Sequence, residues 1–370
     1  MKIKIDRESF LKVFQLAAAV APNRSPKEIL MNVKLDAGKE SYLTATDTEV
    51  SVRLAVPNVT VESAGSAILP VTRMNSILRE STCETLEIEV DDSKIIVSGP
   101  SSHFELQGQN PDEFPEVNRF DSKNYYEVNA SVLKDLIRRT LFATDTESSR
   151  YALGGVKLEL EGDTIIAVGT DGRRLAKMEG QMTTVGSPTD NGSTIVPSKS
   201  MQLIERMLPD DETAIKVAAQ SNDLMIEEPG GVFYTRLVEG RFPPWREVLP
   251  KRDQTNLIEI PAGPLYSAIR QAAIVASDES RGIDFTFKEG TLELSSSTAE
   301  VGQSKVEMPV PFSGDEVSIT LDHRFVADFL KVLDADQVFT FDIENSEAAA
   351  YCSTPDKYGY VIMPLSKDRR

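Results

Sequence analysis

PVTRMNSILRE at residues 70–80, VPSKSMQLIERML at 196–208 and LDHRFVADFLKVL at 321–333 are three amphipathic helix candidates whose starts lie 126 and 125 residues apart. A second set of helix candidates precedes them: DRESFLKVFQLAAAVA (6–21), NASVLKDLIRRTLFA (129–143) and PAGPLYSAIRQAAIVA (261–276). Apolar residues in this set fall at helical spacing, at Phe10, Val13, Phe14 and Ala17, at Val132, Leu136, Ile137 and Leu141, and at Leu265, Ile269, Ala272 and Ala273. Asp6 and Asn129 are expected N-caps, because a side-chain oxygen there can accept the first free N–H groups. Between the two helices of each unit lies strand material around a Thr/Asp/Ser turn: TATDTEVSVRL from Thr44, AVGTDGRRLAKM from Ala167 and LSSSTAEVGQSKVEM from Leu294. After each second helix comes an alternating hairpin, clearest at Leu86, Ile88 and Val90, a turn at 91–93, then Ile95 and Val97. Corresponding segments begin near Ile215 and Val338, and the units close on Phe114-Pro115-Glu116-Val117, Phe242-Pro243-Pro244-Trp245 and Tyr360-Val361-Ile362-Met363-Pro364. The order helix, strands, helix, strands thus occurs three times. It predicts three similar α+β domains, with antiparallel sheets on one side and two helices on the other. Polar stretches near Asp121–Asn124 and Lys251–Thr255 set the expected domains at 1–122, 123–250 and 251–370.

Composition narrows the function. The 370 residues carry 58 Asp and Glu against 40 Lys and Arg, a net charge of −18. That balance argues against a tight, surface-wrapping nucleic-acid binder. Two cysteines, Cys83 and Cys352, exclude a disulfide scaffold and fit a reducing cytosol. MKIKIDRESF has no apolar signal core, and the longest helical apolar stretch is too short to cross a bilayer, so a soluble intracellular protein with no membrane partner is expected.

The chemistry-bearing motifs are missing. There is no GxxxxGK[ST], no GxGxxG after a strand, no CxxC and no HExxH. Two isolated histidines, His103 and His323, and two isolated cysteines make no catalytic set. Asp47 and Glu49 flank a turn that suggests a metal site, but the second unit has Asp171-Gly172-Arg173 there and the third Ser297-Thr298-Ala299-Glu300. A pair that does not repeat is better read as turn capping. No catalytic residue, metal or cofactor is therefore expected. A carboxylate hydrolase would need a convergent Asp/Glu pair in a cleft, which the repeat does not predict.

Charge is not evenly spread. Counted with the first-set helices extended to Pro22, Asp145 and Asp278 and the helix from Pro70 to Ser81, the six helices hold 12 basic and 9 acidic side chains, a balance of +3, which leaves −21 for the rest of the chain. Several of the helical acids sit at helix starts, where they suit the dipole, so mid-helix positions favour Lys and Arg.

These features together resemble the bacterial sliding clamp family, the beta subunit of the replicative DNA polymerase III. The resemblance spans the chain and rests on the threefold repeat, RYALGGVKLEL from Arg150, TDGRRLA from Thr170, FPPWREVLP from Phe242, Ser280-Arg281-Gly282 and YVIMPL from Tyr360. It implies three clamp domains per chain, with sheets outside and helices inside, and a head-to-tail homodimer that forms a ring. Double-stranded DNA would pass through the ring without sequence readout. It implies a non-catalytic processivity factor that tethers the DNA polymerase III catalytic subunit, the clamp loader and other proteins carrying clamp-binding motifs. The expected location is the cytoplasm, in association with the nucleoid. A peptide-binding scaffold that never meets DNA is the alternative.

The resemblance carries over to particular positions. The partner groove maps to Leu153, Thr170, Gly172, Arg173, Arg174, Leu175, Pro243, Val248, Val361, Ile362, Met363, Pro364 and Leu365. An apolar chain end beside small Gly172 suits Leu or Phe anchors, each worth roughly 1.5–3 kcal/mol when fully buried. DNA-facing positions are expected at Lys12, Arg24, Arg73, Lys134, Arg138, Arg139, Lys199, Arg206 and Arg270, with the loop Glu147–Tyr151 near the DNA path. The dimer interface is expected to join Phe104 and Leu106 to Ile274 and Val275 of a second copy. The chain departs from the family pattern at Glu147, at Arg173 where His is familiar, at Glu247 where a basic residue is familiar, at Ser280, and in the tail 366–370. These departures suggest a shifted partner-motif preference.

Overall fold

A computed structural model describes residues 1–91, 94–145, 151–188, 194–250, 256–276, 281–298 and 301–365. The six expected helices form as α1 Arg7–Val20, α2 Val71–Glu80, α3 Ala130–Thr140, α4 Ser198–Met207, α5 Ala262–Ala272 and α6 His323–Lys331. Short 3-10 turns, Leu141–Ala143 and Ala273–Val275, extend α3 and α5 to the ends expected from the pattern. Asp6 caps α1 by accepting the Ser9 N–H at 2.9 Å, and Asp322 caps α6 by accepting the Arg324 N–H at 3.0 Å. At α3 the Asn129 side chain donates to Glu212, while the Ala130 and Ser131 N–H groups reach the carbonyls of Thr213 and Asp211.

Each helix is entered directly from a short strand: Lys2–Asp6, Gly65–Pro70, Tyr125–Asn129, Thr194–Pro197, Asn256–Pro261 and Val317–Asp322. Three further strands follow each of α2, α4, α5 and α6, as in Thr85–Asp91, Lys94–Gly99 and Ser102–Gln107 after α2 and Ala214–Ala219, Asp223–Glu228 and Gly231–Arg236 after α4, while α1 and α3 are followed by three and a short fourth, Val59–Ser63 and Thr183–Val185. The repeating element is therefore a strand, a helix and three strands, used twice per domain. Lead-in strands of four to six residues are too short to stand out beside the helices in the sequence.

The chain packs as two compact units, Met1–Ser131 with Met182–Leu237, and Val132–Gln181 with Val238–Arg370. Neither coincides with one repeat, because sheets run across the repeat junctions. In the first unit a nine-stranded antiparallel sheet joins the first repeat to the second by pairing Val50–Ala55 with Gly231–Arg236, Val52 facing Phe233. A separate five-stranded sheet ends on Ser102–Gln107. In the second unit, Gly155–Glu161, Thr164–Thr170, Arg174–Gln181, Gly359–Ile362, Ala350–Ser353, Val338–Ile343 and Asn256–Pro261 lie side by side in that order. Here the second repeat joins the third, with Arg174 facing Ile362 and Leu175 facing Val361. A four-stranded sheet ends on Gly302–Pro309.

Apolar residues at period two on the strands and at helical spacing on the helices form the cores. Phe10, Phe14 and Ala17 of α1 are buried among helices α2 and α4 and the strands 42–46 and 50–55 of the first unit. In the second unit Phe329 of α6 stacks on Tyr358 and Tyr360 and meets Phe339 edge-on.

Candidate functional site

Of the expected groove residues, those at 170–175 and 361–365 come together at the junction of strands Arg174–Gln181 and Gly359–Ile362, and Leu153, Pro243 and Val248 lie in the same compact unit. The pairing continues past the last strand residue, since the Met363 N–H donates to the Arg173 carbonyl at 2.9 Å. One step further the Leu365 N–H donates to the Thr320 carbonyl at 2.9 Å. Leu153, Leu175, Val361 and Ile362 are buried, whereas Met363 is 44% exposed and Val248 is 43% exposed. Pro243, Pro364 and Leu365 are half-buried. The strand junction therefore has a buried apolar floor beside exposed Met363.

A tight turn shapes the side of this site. The Thr170 hydroxyl donates to the Arg174 carbonyl at 2.6 Å and accepts the Gly172 N–H at 3.1 Å. Asp171 Oδ1 accepts the N–H groups of Arg173 and Arg174 at 2.9 and 3.1 Å. Gly172 has φ +85°, and a Cβ added there would meet open space. The same turn appears in the first repeat, where Asp47 Oδ1 accepts the N–H groups of Glu49 and Val50 and Thr48 has φ +80°. These carboxylates cap turns, as the repeat comparison suggested.

Arg174 is the structural centre of the site. It donates to Asp171 at 3.0 Å, to Asp328 at 2.8 Å and to the Phe142 carbonyl at 2.8 Å, and its guanidinium lies 4.3 Å from the Phe325 ring centroid. Burial alone would weaken its charge, but Tyr360, Asp328 and Asp171 outweigh burial and hold it firmly protonated. Tyr360, whose hydroxyl donates to the Phe325 carbonyl at 3.0 Å, has its own pKa pushed up by burial. Arg173, by contrast, is exposed. Phe325 and Asp328 were not among the expected site residues. Their signal was available in α6, where Phe325 and Asp328 are three apart on one helix face.

The short helix Trp245–Val248 brings Val248 into this unit. It is held by Glu159, which accepts from Trp245 Nε1 at 2.9 Å, from Arg246 at 2.5 Å and from Lys157 at 3.0 Å. Burial would raise the Glu159 carboxyl, but the bonds from Arg246, Trp245 and Lys157 hold it below the ordinary carboxylate range.

The expected DNA-facing residues divide. Arg24, Arg73, Arg206 and Arg270 are exposed, and none has a carboxylate within ion-pair distance among the described residues. Lys12, Arg138 and Lys199 are exposed but pair with Glu8, Asp135 and Asp47 at 3.0, 2.9 and 2.9 Å. Lys134 is half-buried. Arg139 corrects the expectation: it is 7% exposed and bonded to Asp356. It lies one residue, about 100°, around α3 from Arg138, which turns it into the core. Arg324 and Lys331 of α6, absent from the expected set, line a cleft of about 510 Å³ between α5 and α6 together with Tyr266, Arg270 and Ile274. A larger hollow of about 1040 Å³ over strands 32–37, 42–46 and 50–55 mixes Lys34, Arg53, Asp36 and Glu40 and belongs to neither set.

At the expected interface, Phe104 is 36% exposed and Ile274 76% exposed, while Leu106 and Val275 are half-buried. Ser102–Gln107 and Gly302–Pro309 are each paired on one side only among the described residues. Glu147, Ser280 and the tail 366–370 lie outside the described residues, as do the junction 251–255, turn residues 92 and 93, and Ala299 and Glu300 of the third turn.

Comparison with known proteins gives one consistent result. Sequence profiles for the N-terminal, central and C-terminal domains of the DNA polymerase III beta subunit match residues 1–118, 127–244 and 246–366. The Beta sliding clamp of Chlamydia muridarum is 30% identical over 368 residues, covering 99% of each chain. The Beta sliding clamp of Pseudomonas aeruginosa is 30% identical over 373 residues, covering 99% of this chain and all of the relative. Among solved structures, the DNA polymerase III subunit beta of Pseudomonas aeruginosa superposes with a TM-score of 0.89 at 27% identity, covering 99% of this chain and 100% of that one. A sliding clamp from the same organism bound to griselimycin superposes with a TM-score of 0.90 at 27% identity, covering 99% of both. Three clamp domains of antiparallel sheet and paired helices, matched along their whole length, mean that this chain belongs to the DNA polymerase III beta subunit family, the non-catalytic DNA sliding clamps.

Proposed function

We propose that two copies of this chain close head-to-tail into a ring around duplex DNA, and that the polymerase catalytic subunit, the clamp loader and other partners dock by short apolar segments around Leu175, Val361 and Met363. The observation that carries the ring is sheet continuity. Two repeat junctions are bridged by strand pairing, Val50–Ala55 with Gly231–Arg236 and Arg174–Gln181 with Gly359–Ile362. The remaining equivalents, Ser102–Gln107 and Gly302–Pro309, each end a sheet. Joining them between copies would fuse a five-stranded and a four-stranded sheet into nine strands, the length already complete in the first unit. It would also cover Phe104 and Ile274 and hide two edges that otherwise invite aggregation.

A ring needs little static affinity for DNA. Exposed Arg24, Arg73, Arg206 and Arg270 supply sequence-independent attraction to phosphates, and the acidic remainder of a −18 chain discourages binding elsewhere. Cytoplasmic work at the nucleoid follows from this reading. The test is retention. Clamp loaded onto circular DNA stays bound through gel filtration and is lost when the DNA is linearised. Equal loss from both forms would leave only a peptide-binding scaffold.

A further inference from the structure

We propose that Arg173 reads a carboxylate on the docked partner segment, and so sets which apolar segments this chain accepts. The inference rests on the groove reading above and adds the chemistry of its rim.

Arg173 is fixed at the mouth of the groove. Its N–H donates to Asp171 Oδ1 at 2.9 Å, and its carbonyl accepts from Met363 at 2.9 Å. Its Cα therefore cannot drift from exposed Met363. Its guanidinium lies 5.7 Å from the Phe325 ring centroid, a contact that orients the side chain but uses none of its five in-plane donors. Gly172 beside it has open space where a side chain would stand, so an incoming chain can approach closely.

The surrounding charges are already committed. Arg174 spends its donors on Asp171, Asp328 and the Phe142 carbonyl. Asp322 is buried and accepts three times from Arg324, through its N–H at 3.0 Å, Nε at 3.3 Å and Nη2 at 3.1 Å. Lys331 and Arg174 share Asp328. No carboxylate lies within ion-pair distance of the Arg173 guanidinium among the described residues. Arg173 feels the charge of buried Asp322, but that carboxylate is already bonded to Arg324 and lies beyond ion-pair distance, so the exposed, partly oriented guanidinium beside an apolar floor stays complementary to a carboxylate flanking apolar anchors. That carboxylate can be an Asp or Glu side chain or the α-carboxylate of a chain end.

The test uses the full-length chain and labelled octapeptides with one Leu and one Phe anchor, in four forms: Asp or its Asn isostere near the anchors, each with a free or an amidated C-terminus. Fluorescence anisotropy gives the affinities. The wild type is expected to favour the carboxylate form over its neutral isostere by roughly two- to fivefold in at least one comparison, the range of a partly exposed ion pair, and less at high salt. The Asp/Asn pair and the acid/amide pair tell the two sources apart. In R173Q that ratio falls to near one, and R173K restores part of it. Equal affinity for acid and isostere in the wild type, or a ratio that survives in R173Q, overturns the proposal. If none of the four peptides binds the wild type, the groove reading itself falls and takes this one with it.

Discussion

Arg139 shows what a single side chain does in this fold. Its Nη1 donates to Asp356 Oδ2 at 2.5 Å, 217 positions away, and its guanidinium lies 5.3 Å from the Tyr358 ring centroid. Its Nε and the Tyr358 hydroxyl are buried without a hydrogen-bond partner among the described residues. The Asp356 bond is therefore the main compensation for a buried charge. Burial would raise the Asp356 carboxyl, but bonds from Thr354 and Arg139 outweigh it and hold it below the ordinary carboxylate value. A carboxyl depressed in the folded state contributes stability above its unfolded pKa and loses it as pH falls through the folded one. Asp356→Asn is expected to cost about 1–2 kcal/mol at pH 7, discounted from a fully buried pair because Asp356 is half-exposed. In urea melts the gap to wild type should be the same at pH 7 and pH 5 and shrink only below about pH 4. A gap that already narrows between pH 7 and pH 5 would contradict the assignment. The inward turn of Arg139 was legible in its helical phase, two turns after Val132, but its partner Asp356 was not, because it lies in another repeat. The turn at Thr170 and Asp171 was legible, because side chain and backbone interact within four residues.

At the scale of elements, the helices were readable because an amphipathic repeat of 3.6 residues is a local signal. The lead-in strands were not, since four to six residues such as KIKID hold too few alternations to separate from a loop. Packing between elements was hidden too, and Gly169 is its clearest case. A Cβ there would sit 2.1 Å from the carbonyl oxygen of Thr140, the last residue of α3. The end of α3 thus rests directly on strand Thr164–Thr170, and the glycine is required by close approach and not by its φ. Gly169→Ala forces helix and strand apart and is expected to destabilise by about 1–3 kcal/mol, the usual range for overpacking. Gly162 is a contrasting position, with φ +57° and open space around it. Gly162→Ala should cost only the strain of a left-handed residue, about 1 kcal/mol. Thermal melts of both variants check the order: if Gly162→Ala is the more damaging, the α3 contact is not what constrains residue 169.

For the whole molecule, three repeats were visible in the sequence but the two compact units were not. Strand pairing across a repeat junction depends on which edges meet, and apolar periodicity says nothing about that. The same logic draws attention to two sheet edges that are open among the described residues. Ser102–Gln107 ends the five-stranded sheet and Gly302–Pro309 ends the four-stranded one. Exposed Phe104 is on the first, and the turn Ala273–Val275 packs against the second and presents Ile274 at 76% exposure. Single exposed apolar residues are common, but two of them beside two open edges are what a heterologous strand-pairing interface requires. Ile274→Lys would leave the isolated chain nearly as stable, because the side chain is mostly in water. In the proposed dimer it would bury an ammonium group at the joint that also covers Phe104, at a cost of several kcal/mol in each of two equivalent joints. Sedimentation at micromolar concentration is expected to give a dimer for wild type and a folded monomer for Ile274→Lys, with the melting transition little changed. Val275→Lys, at a half-buried position whose carbonyl accepts the Thr298 hydroxyl at 2.7 Å, should also give monomer but with a lower melting temperature. A dimer that survives Ile274→Lys would move the interface away from these two edges, and the nine-strand continuity would then need another partner for Ser102–Gln107.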